Sequence, residues 1–467
     1  MQLVPISKEG YDLFHEGQLA LSDIQQNGIK IDTKHCKNSY KRLGQEIKQC
    51  EKNLYNYKEV KTWQKKYKDK FSFDSDRQLS DILFNVMEYE PTKRTENDAP
   101  SVDKEALEAL NLPMVDTFLR YRKLDKLKNT FLKTIIKETY NGYLHPFINL
   151  NLARTFRSSS QNPNTQNMPH RDEEGTEVIR KAFVAEEDSY LVASDYGGIE
   201  VKGSQFYTRD PVMQKYLDNP ETADMHADFC KLLFMLDNYD DSVPGEKTLR
   251  KGTKNGFTFP QFYGDYYGNN AVALWNWAGF KEKKIKKTEG VEIKGNKKLG
   301  EHLKENGIHN FKQFVNHIAK IENAMWNEKF KVYKQWRDDQ WDWYNKYGYV
   351  TLLSGFTCQG IMTRNQVINY PIQGCCFHCL LWSIIELNKR MKKERMRSKI
   401  IFQIHDEIIS NVKKDEYDEY LDMVKQIMCH DIKDHYDWIC VPLELESEAS
   451  ELEGNWFDMK PVMEYVN

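Results

Sequence analysis

No apolar run in this chain approaches the roughly 18 residues needed to cross a bilayer. The stretch Met1 to Gly10 carries Lys8 and Glu9 and has no apolar core of the kind a secretory signal needs. Both absences lead us to expect a soluble, cytoplasmic protein with no membrane partner. A paired-cysteine framework is also missing: the nine cysteines are odd in number and scattered, which fits reduced thiols in a cytosol-like compartment. No internal repeat and no long low-complexity linker interrupts the chain. Charge of one sign is absent as well, because 67 Lys+Arg against 70 Asp+Glu leaves a net charge of −3. That balance does not announce a polyanionic partner, although a nearly neutral total can hide a basic face. Aromatic side chains are abundant at 13%, with 26 Tyr, 23 Phe and 10 Trp, and this excludes a disordered chain. At 467 residues the chain has room for two or three domains or one multi-lobed unit.

Two stretches are locally basic, Lys37 to Lys70 and Lys281 to Lys304; taken alone, each reads as a solvated face. The first third is helical in pattern. It includes a long helix over Thr117 to Thr139 that carries Arg120, Arg122, Lys123, Lys126 and Lys128. The texture changes near Asn141-Gly142. Tyr143 to Leu150 reads as extended, and Ser158 to Pro169 is too rich in Ser, Asn and Pro for a helix. Ala182 to Asp195 suggests strands. Helical texture returns from Met213 to Tyr347, and Asn369 to Met391 is a long apolar helix. Ile400 to Val412 alternates like a hairpin with His405-Asp406-Glu407 at its tip. Strands in two distant blocks, separated by a large helical insertion, predict an α+β fold in which one sheet domain carries two helical lobes.

Asp195 and Asp406 each end a short apolar run read as a strand. Such a strand holds a carboxylate rigidly at the rim of a core. Two carboxylates brought together suit two Mg²⁺ ions, with Mn²⁺ as an alternative, and a two-metal site serves phosphoryl transfer. For either acid alone, a turn residue is the more ordinary reading, and spacing does not show that the two meet.

Five segments together resemble the DNA polymerases of family A. VASDYGGIE (Val192 to Glu200) is similar to their first polymerase motif, and QIHDEIISNV (Gln403 to Val412) to their HDE motif. RKGTKNGFTFPQFYG (Arg250 to Gly264) resembles the nucleotide-binding helix of the fingers. RSSSQNPNTQNMP (Arg157 to Pro169) resembles the segment that follows the thumb, and NYPIQG (Asn369 to Gly374) resembles the palm helix before the third motif. The order agrees from about Leu21 to Trp456, and the Phe-Pro-x-Phe-Tyr-Gly form looks most like bacteriophage members. The resemblance implies a right-hand fold with an antiparallel-sheet palm and a mostly helical thumb and fingers. Residues 1–35 would join palm and thumb, 36–141 would form the thumb, 142–212 the first part of the palm, 213–347 the fingers and 348–467 the rest of the palm. It also implies a template-directed DNA polymerase acting on primer-template DNA and dNTPs, in the host cytoplasm if the chain belongs to a phage.

Residue by residue, the resemblance makes Asp195, Asp406 and the carbonyl of Tyr196 the metal ligands. Arg250, Lys254 and His226 would meet the triphosphate, with Lys254 also catalytic. Glu200 would block the ribose 2′-position, Phe259 would face the sugar, and Tyr263 would pack on the nascent base pair. Arg157 and Gln373 would read minor-groove acceptors, which every base pair presents. Asn369 would touch template or primer. His405 and Glu407 would flank the metals near the DNA, Glu407 as an outer metal contact or only an ordered turn residue. Arg122, Lys126 and Lys128 would grip duplex phosphates.

The sequence departs from the family pattern in three places. Lys254 to Tyr263 spans nine residues where the family has eight, which on a regular helix would throw Phe259 and Tyr263 off the stripe of Arg250 and Lys254. With Gly256 and Pro260 inside this interval, a π-bulge or kink between them is expected to absorb the extra residue. Phe259, counted back from Tyr263, then takes the sugar-facing place in preference to Thr258, and discrimination against dideoxynucleotides follows. Secondly, the stretch from about Gly279 to Asn310 is longer than in bacterial relatives; its lysines suit template, a partner or, more ordinarily, a solvated insertion. Thirdly, the thumb-like pattern begins within about twenty-five residues of Met1, so no proofreading exonuclease is expected in this chain. A separate exonuclease or processivity factor would be a partner. Asp172-Glu173-Glu174 imitates an exonuclease signature but reads as surface. Cys375, Cys376, His378 and Cys379 read as packing residues, with zinc the lesser alternative. A single-subunit RNA polymerase and a non-catalytic DNA-binding protein are the competing functions; Glu200 and the HDE motif argue against the first, and the retained aspartates against the second.

Overall fold

The alternation in Ser189–Tyr196 builds the central strand (β1) of a five-stranded antiparallel sheet. The computed structural model describes residues 6–95, 97–169, 172–219 and 222–466, so residues 1–5 of the expected N-terminal segment lie outside the described residues. The other strands are β2 (Lys399–Ile404), β3 (Glu407–Lys413), β4 (Glu444–Ala449) and β5 (Lys460–Val466). Their order is β2-β3-β1-β4-β5. The expected hairpin of Ile400 to Val412 is therefore β2 and β3, with His405-Asp406 as its two-residue turn. Residues 182–188, expected to begin a strand, contain only isolated bridges to Ile31 and Asn455. β5 was not expected.

Side chains alternate across a strand, so β1 serves two cores. Val192 and Tyr196 pack with Ile408 and Leu445 against one face of the sheet. That face is covered by the helix Arg364–Lys393, which buries Val367, Ile372, Leu380 and Ile384. Thr363 opens this helix with a capping box to Gln366, a device that satisfies two orphan donors at once. Leu191, Ala193 and Ile409 face the other way and share a core with Trp63, Phe118 and Leu124 of the first helical block. Truncating a fully buried leucine such as Leu124 or Leu380 costs about 2–5 kcal/mol. A third core, around Phe229, Phe257, Phe314 and Phe330, belongs to the second helical block alone.

The chain is thus an α+β protein whose sheet carries two helical blocks. The expected single helix over 117–139 runs as Val115–Asp125, a π segment Lys126–Leu132 and Lys133–Glu138. The expected helical texture of 213–347 is broken by a small hairpin, Glu292–Ile293 with Lys297–Lys298.

Candidate active site

Asp195 lies at the end of β1, in direct register with Glu407 on β3 and Glu446 on β4. Residues paired in this way project on one face of a sheet, so three acids form a row. Asp406 adds a fourth at the hairpin turn beside it. Burial, then repulsion from Asp406, Glu407 and Glu446, pushes the Asp195 carboxyl up to about 8. Its Oδ1 is buried without a hydrogen-bond partner. Glu407 is pushed up to about 7, chiefly by burial and against the pull of Arg180. An orphaned carboxylate oxygen among like charges is a place for a cation. Among the described residues no three acidic, His or Cys side chains form a ready metal cage. Mg²⁺ does not need one, because it is commonly held by one or two carboxylates and completes its shell with water and substrate phosphates. Asp195 and Asp406 therefore fit it.

Local sequence explains this geometry. After Tyr196 the chain turns through Gly197-Gly198. A Cβ on Gly197 would stand 2.9 Å from the side chain of Glu444, and Gly198 has φ +61°. The Tyr196 ring is locked beneath by its bond to Ser383 at 2.9 Å. Lys202, 2% exposed, donates to the Gly197 carbonyl at 2.7 Å and meets Glu444 at 3.0 Å. At the hairpin tip His405 is exposed and takes φ +51°, a left-handed conformation uncommon outside glycine. Gln403 secures the tip by donating to the His405 carbonyl at 2.7 Å while accepting from Ser158 at 2.7 Å. Arg157, next to Ser158, is thereby tied to the same end of the sheet.

A second cluster lies on the helical block that follows. The helix Pro244–Thr253 presents Arg250, then passes into a π segment at Lys254–Thr258, and resumes as Phe259–Phe262. The π segment absorbs the extra residue as expected, but it begins at Lys254, two residues before the expected interval between Gly256 and Pro260. Phe259 consequently stacks with Tyr263 at 6.4 Å, meets His226 edge-on at 5.6 Å and lies 5.4 Å beneath the Lys254 ammonium. Thr258 points the other way, fully buried with its hydroxyl unpartnered. Arg250 is held by Asp224 at 2.6 Å. Burial, helped by Lys254 and Arg250, lowers the His226 pKa to about 4, and its Nδ1 is buried without a partner. The cluster is thus cationic, with one neutral imidazole.

Tyr263 joins the two clusters by donating a hydrogen bond to Glu200, whose other oxygen lies 3.4 Å from Arg157. Lys126 and His405 share the lining of a cleft of about 680 Å³ with Asn164 and Gln166.

Asn369 donates its amide to the Tyr263 carbonyl at 2.8 Å and so braces the end of the split helix, while its Oδ1 is buried without a partner. Arg122, Lys126 and Lys128 do not share one face. Arg122 is paired with Asp76 and donates to the Val102 carbonyl, while Lys128 lies 4.5 Å over the Tyr40 ring. The π segment starting at Lys126 and the crowded ion pairs of the first block explain the spread. Gln373 is half-buried in the helix Arg364–Lys393. Asp172 caps the helix Glu173–Arg180, and Glu174 pairs with Arg120 and Lys123. His378 is occupied at both ring nitrogens, by Ser354 at 2.5 Å and the Phe156 carbonyl at 3.1 Å.

Sequence reasoning missed Glu446, Lys202, Arg180 and Asp224. Glu446 had a signal in the alternation of the strand Glu444–Ala449, whose odd-numbered positions are buried and even-numbered ones are not. Arg180 stacks 4.1 Å over Trp456 with its Nε unpartnered; nothing in local spacing links residues so distant.

A family model described as DNA polymerase family A matches residues 33–289 and 316–457. The chain is 24% identical to a DNA polymerase I of Chloroflexus aurantiacus over 97% of this chain and 44% of that protein. It is 25% identical to that of Bacillus subtilis over 95% of this chain and 45% of that protein, and 29% identical to that of Streptococcus pneumoniae over 84% and 40%. The chain spans less than half the length of these relatives. Its fold is shared by a solved structure, the POL domain of Pol1 from M. smegmatis in complex with DNA primer-template and dNTP. There the TM-score is 0.72 at 22% identity, covering 95% of this chain and 70% of that one.

Proposed function

Because the chain belongs to DNA polymerase family A, we propose that it extends a primer on a DNA template, adding dNTPs to the 3′-hydroxyl and releasing pyrophosphate. The join between the acidic row and the cationic cluster, made by Tyr263, Glu200 and Arg157, carries this reading. Two Mg²⁺ ions, held by Asp195, Asp406 and the Tyr196 carbonyl, would supply the positive charge that favours an attacking alkoxide and a leaving pyrophosphate. The chain's own contribution is position and charge, which phosphoryl transfer chiefly needs. Arg250, Lys254 and His226 bind and orient the triphosphate. Phe259 and Tyr263 give the sugar and base an aromatic wall. Glu200, pinned by two partners, occupies the space beside the ribose 2′-carbon and refuses a hydroxyl there. Arg157 and Gln373 meet minor-groove acceptors, and Lys126 and His405 line the path of the duplex.

In this assignment residues 36–141 serve as thumb, 142–212 and 348–467 as palm, and 213–347 as fingers. Primer extension with Mg²⁺, comparing dNTPs with rNTPs and including Asp406→Asn, tests the proposal. Extension with dNTPs only, lost in the variant while primer binding persists, supports it. Extension with rNTPs would make the chain an RNA polymerase, and none at all would leave a DNA-binding protein.

A further inference from the structure

The helix that presents Arg250 begins without a side-chain cap: its N-cap is Val243 and Pro244 follows. Within its first turn Pro244 and Lys247 are exposed, but Glu246 is buried. Glu246 is 2% exposed, and its two carboxylate oxygens have different owners. One accepts from the backbone N–H of Lys294 at 2.9 Å, and the other from that of Asp240 at 2.8 Å. Lys294 belongs to the turn of the hairpin Glu292–Ile293 and Lys297–Lys298. The hairpin backbone also lies directly on the helix, since a Cβ on Gly245 would stand 1.7 Å from the Glu292 carbonyl oxygen. Ile293 enters the same core as Leu249, one residue before Arg250, and Leu299 and Leu303 follow it there. Residues 290–315 fall between the two ranges that the family model matches. A stretch outside the family pattern thus grips the helix that carries the cations.

We infer that this hairpin is a strut for the triphosphate site and that Glu246 is its clasp, a positioning residue for Arg250 and Lys254. Arg250 lies one helical turn beyond Glu246 and Lys254 one turn further. A helix held at its first turn carries both ammonium and guanidinium groups to a fixed place; released there, it delivers them with scatter. A buried carboxylate taking two backbone N–H donors suits this task, because each bond is charge-assisted and the two donors come from different segments. An acid in the first turn also complements the helix dipole. The lysines of the insertion need no nucleic acid in this account. Lys294 itself pairs with Asp240 at 2.9 Å, and the clasp uses its backbone rather than its side chain.

The inference rests on the polymerase reading, and its test separates the two. Steady-state primer extension would be measured for the full wild-type chain, Glu246→Gln, Gly245→Ala and Lys294→Ala, with melting curves and primer-template affinity for each. Glutamine turns an NH₂ toward one of the two N–H donors, and alanine at 245 forces the Glu292 carbonyl away while leaving the carboxylate in place. Both variants should raise the dNTP KM roughly tenfold with kcat changed less than about twofold, since a binding geometry is loosened and not the chemistry. Lys294→Ala should stay near wild type, and primer-template affinity should not move. An unchanged dNTP KM in folded Glu246→Gln and Gly245→Ala would overturn the inference alone. A loss in Lys294→Ala equal to that in Glu246→Gln would overturn the assignment to the carboxylate. Failure of the wild-type chain to extend any primer would overturn the polymerase reading and the strut with it.

Discussion

The phenol of Tyr263 donates to the carboxylate of Glu200, and Arg157 stands 3.4 Å from the other oxygen of that group. This contact ties the end of the split helix to the first turn of the helix Ile199–Thr208 that follows Asp195. Burial raises the pKa of Glu200, Arg157 opposes the rise and Asp406 adds to it. A half-buried acid fixed by two partners is costly to push aside, which is what a gate against a 2′-hydroxyl requires.

Glu200→Ala should therefore admit rNTPs. Removing a fixed, charged hydrogen-bonding group from the sugar's path is worth about 2 kcal/mol of selectivity, or roughly thirtyfold in the dNTP/rNTP ratio of kcat/KM. Tyr263→Phe, which leaves Arg157 to hold the acid, should relax the ratio less. Single-nucleotide incorporation with matched dNTP and rNTP measures both. An unchanged ratio in Glu200→Ala would remove the gate from this residue.

His226 gives a prediction in pH. Its pKa falls from 6.5 to about 4 because it is buried beside Lys254 and Arg250. A group with a depressed folded pKa contributes stability above its unfolded pKa and loses it as pH falls through the folded one. The window here is pH 6.5 down to 4, and the loss is about 3 kcal/mol at most. His226→Gln should lose less stability than wild type between pH 7 and pH 4.5, read by melting temperature. Other buried histidines, His378 among them, contribute equally to both proteins and cancel. Parallel curves for the two would place the His226 ring in contact with water.

Thr258 and Phe259 should separate cleanly. Thr258 is fully buried with an unpartnered hydroxyl, so Thr258→Val should stabilise the chain by about 1 kcal/mol and leave the dNTP KM alone. Phe259 lies between Lys254, His226 and Tyr263, so Phe259→Ala should raise the dNTP KM by about tenfold. The same assay should show ddNTPs used less well than dNTPs by the wild-type chain. The opposite pairing of effects would mean that the residue count across the π segment has been made from the wrong end.

How much of this was legible before the structure depended on the range of the cause. The hairpin tip at His405-Asp406-Glu407 and the strand into Asp195 follow from period-two alternation, and the α+β class from the spacing of such blocks. The π segment at Lys254–Thr258 was readable because one extra residue and a proline break a helical stripe locally. Glu446 was not found as a neighbour of Asp195, since register between strands some 250 residues apart is set by the whole sheet. The spread of Arg122 and Lys128 had the same source: Asp76 and Val102, which hold Arg122, and Tyr40, which lies under Lys128, come from other elements. The bond from Asn369 to the Tyr263 carbonyl was not legible, because the two residues lie 106 positions apart.

The acidic row should be a stability liability that a cation relieves. Burial and three neighbouring acids push Asp195 up to about 8. A carboxyl raised in this way contributes stability that is fully present only below its unfolded pKa of about 4 and is lost across the window up to the folded pKa of about 8. At about pH 9 with chelator, the wild-type chain must hold the anion beside Asp406, Glu407 and Glu446, at a cost of about 2 kcal/mol after allowance for solvent. Asp195→Asn keeps the shape and removes the charge, so without divalent cation it should melt a few degrees above wild type. Mg²⁺ should then raise the wild-type melting temperature, because it binds only the folded arrangement, and should leave Asp195→Asn unmoved. The variant should extend no primer, and the residue that destabilises the metal-free fold would then be one that the proposed reaction needs. Melting curves at about pH 9, with chelator and with Mg²⁺, decide the matter; a variant less stable than wild type in chelator would show that Asp195 is already compensated by the protein itself.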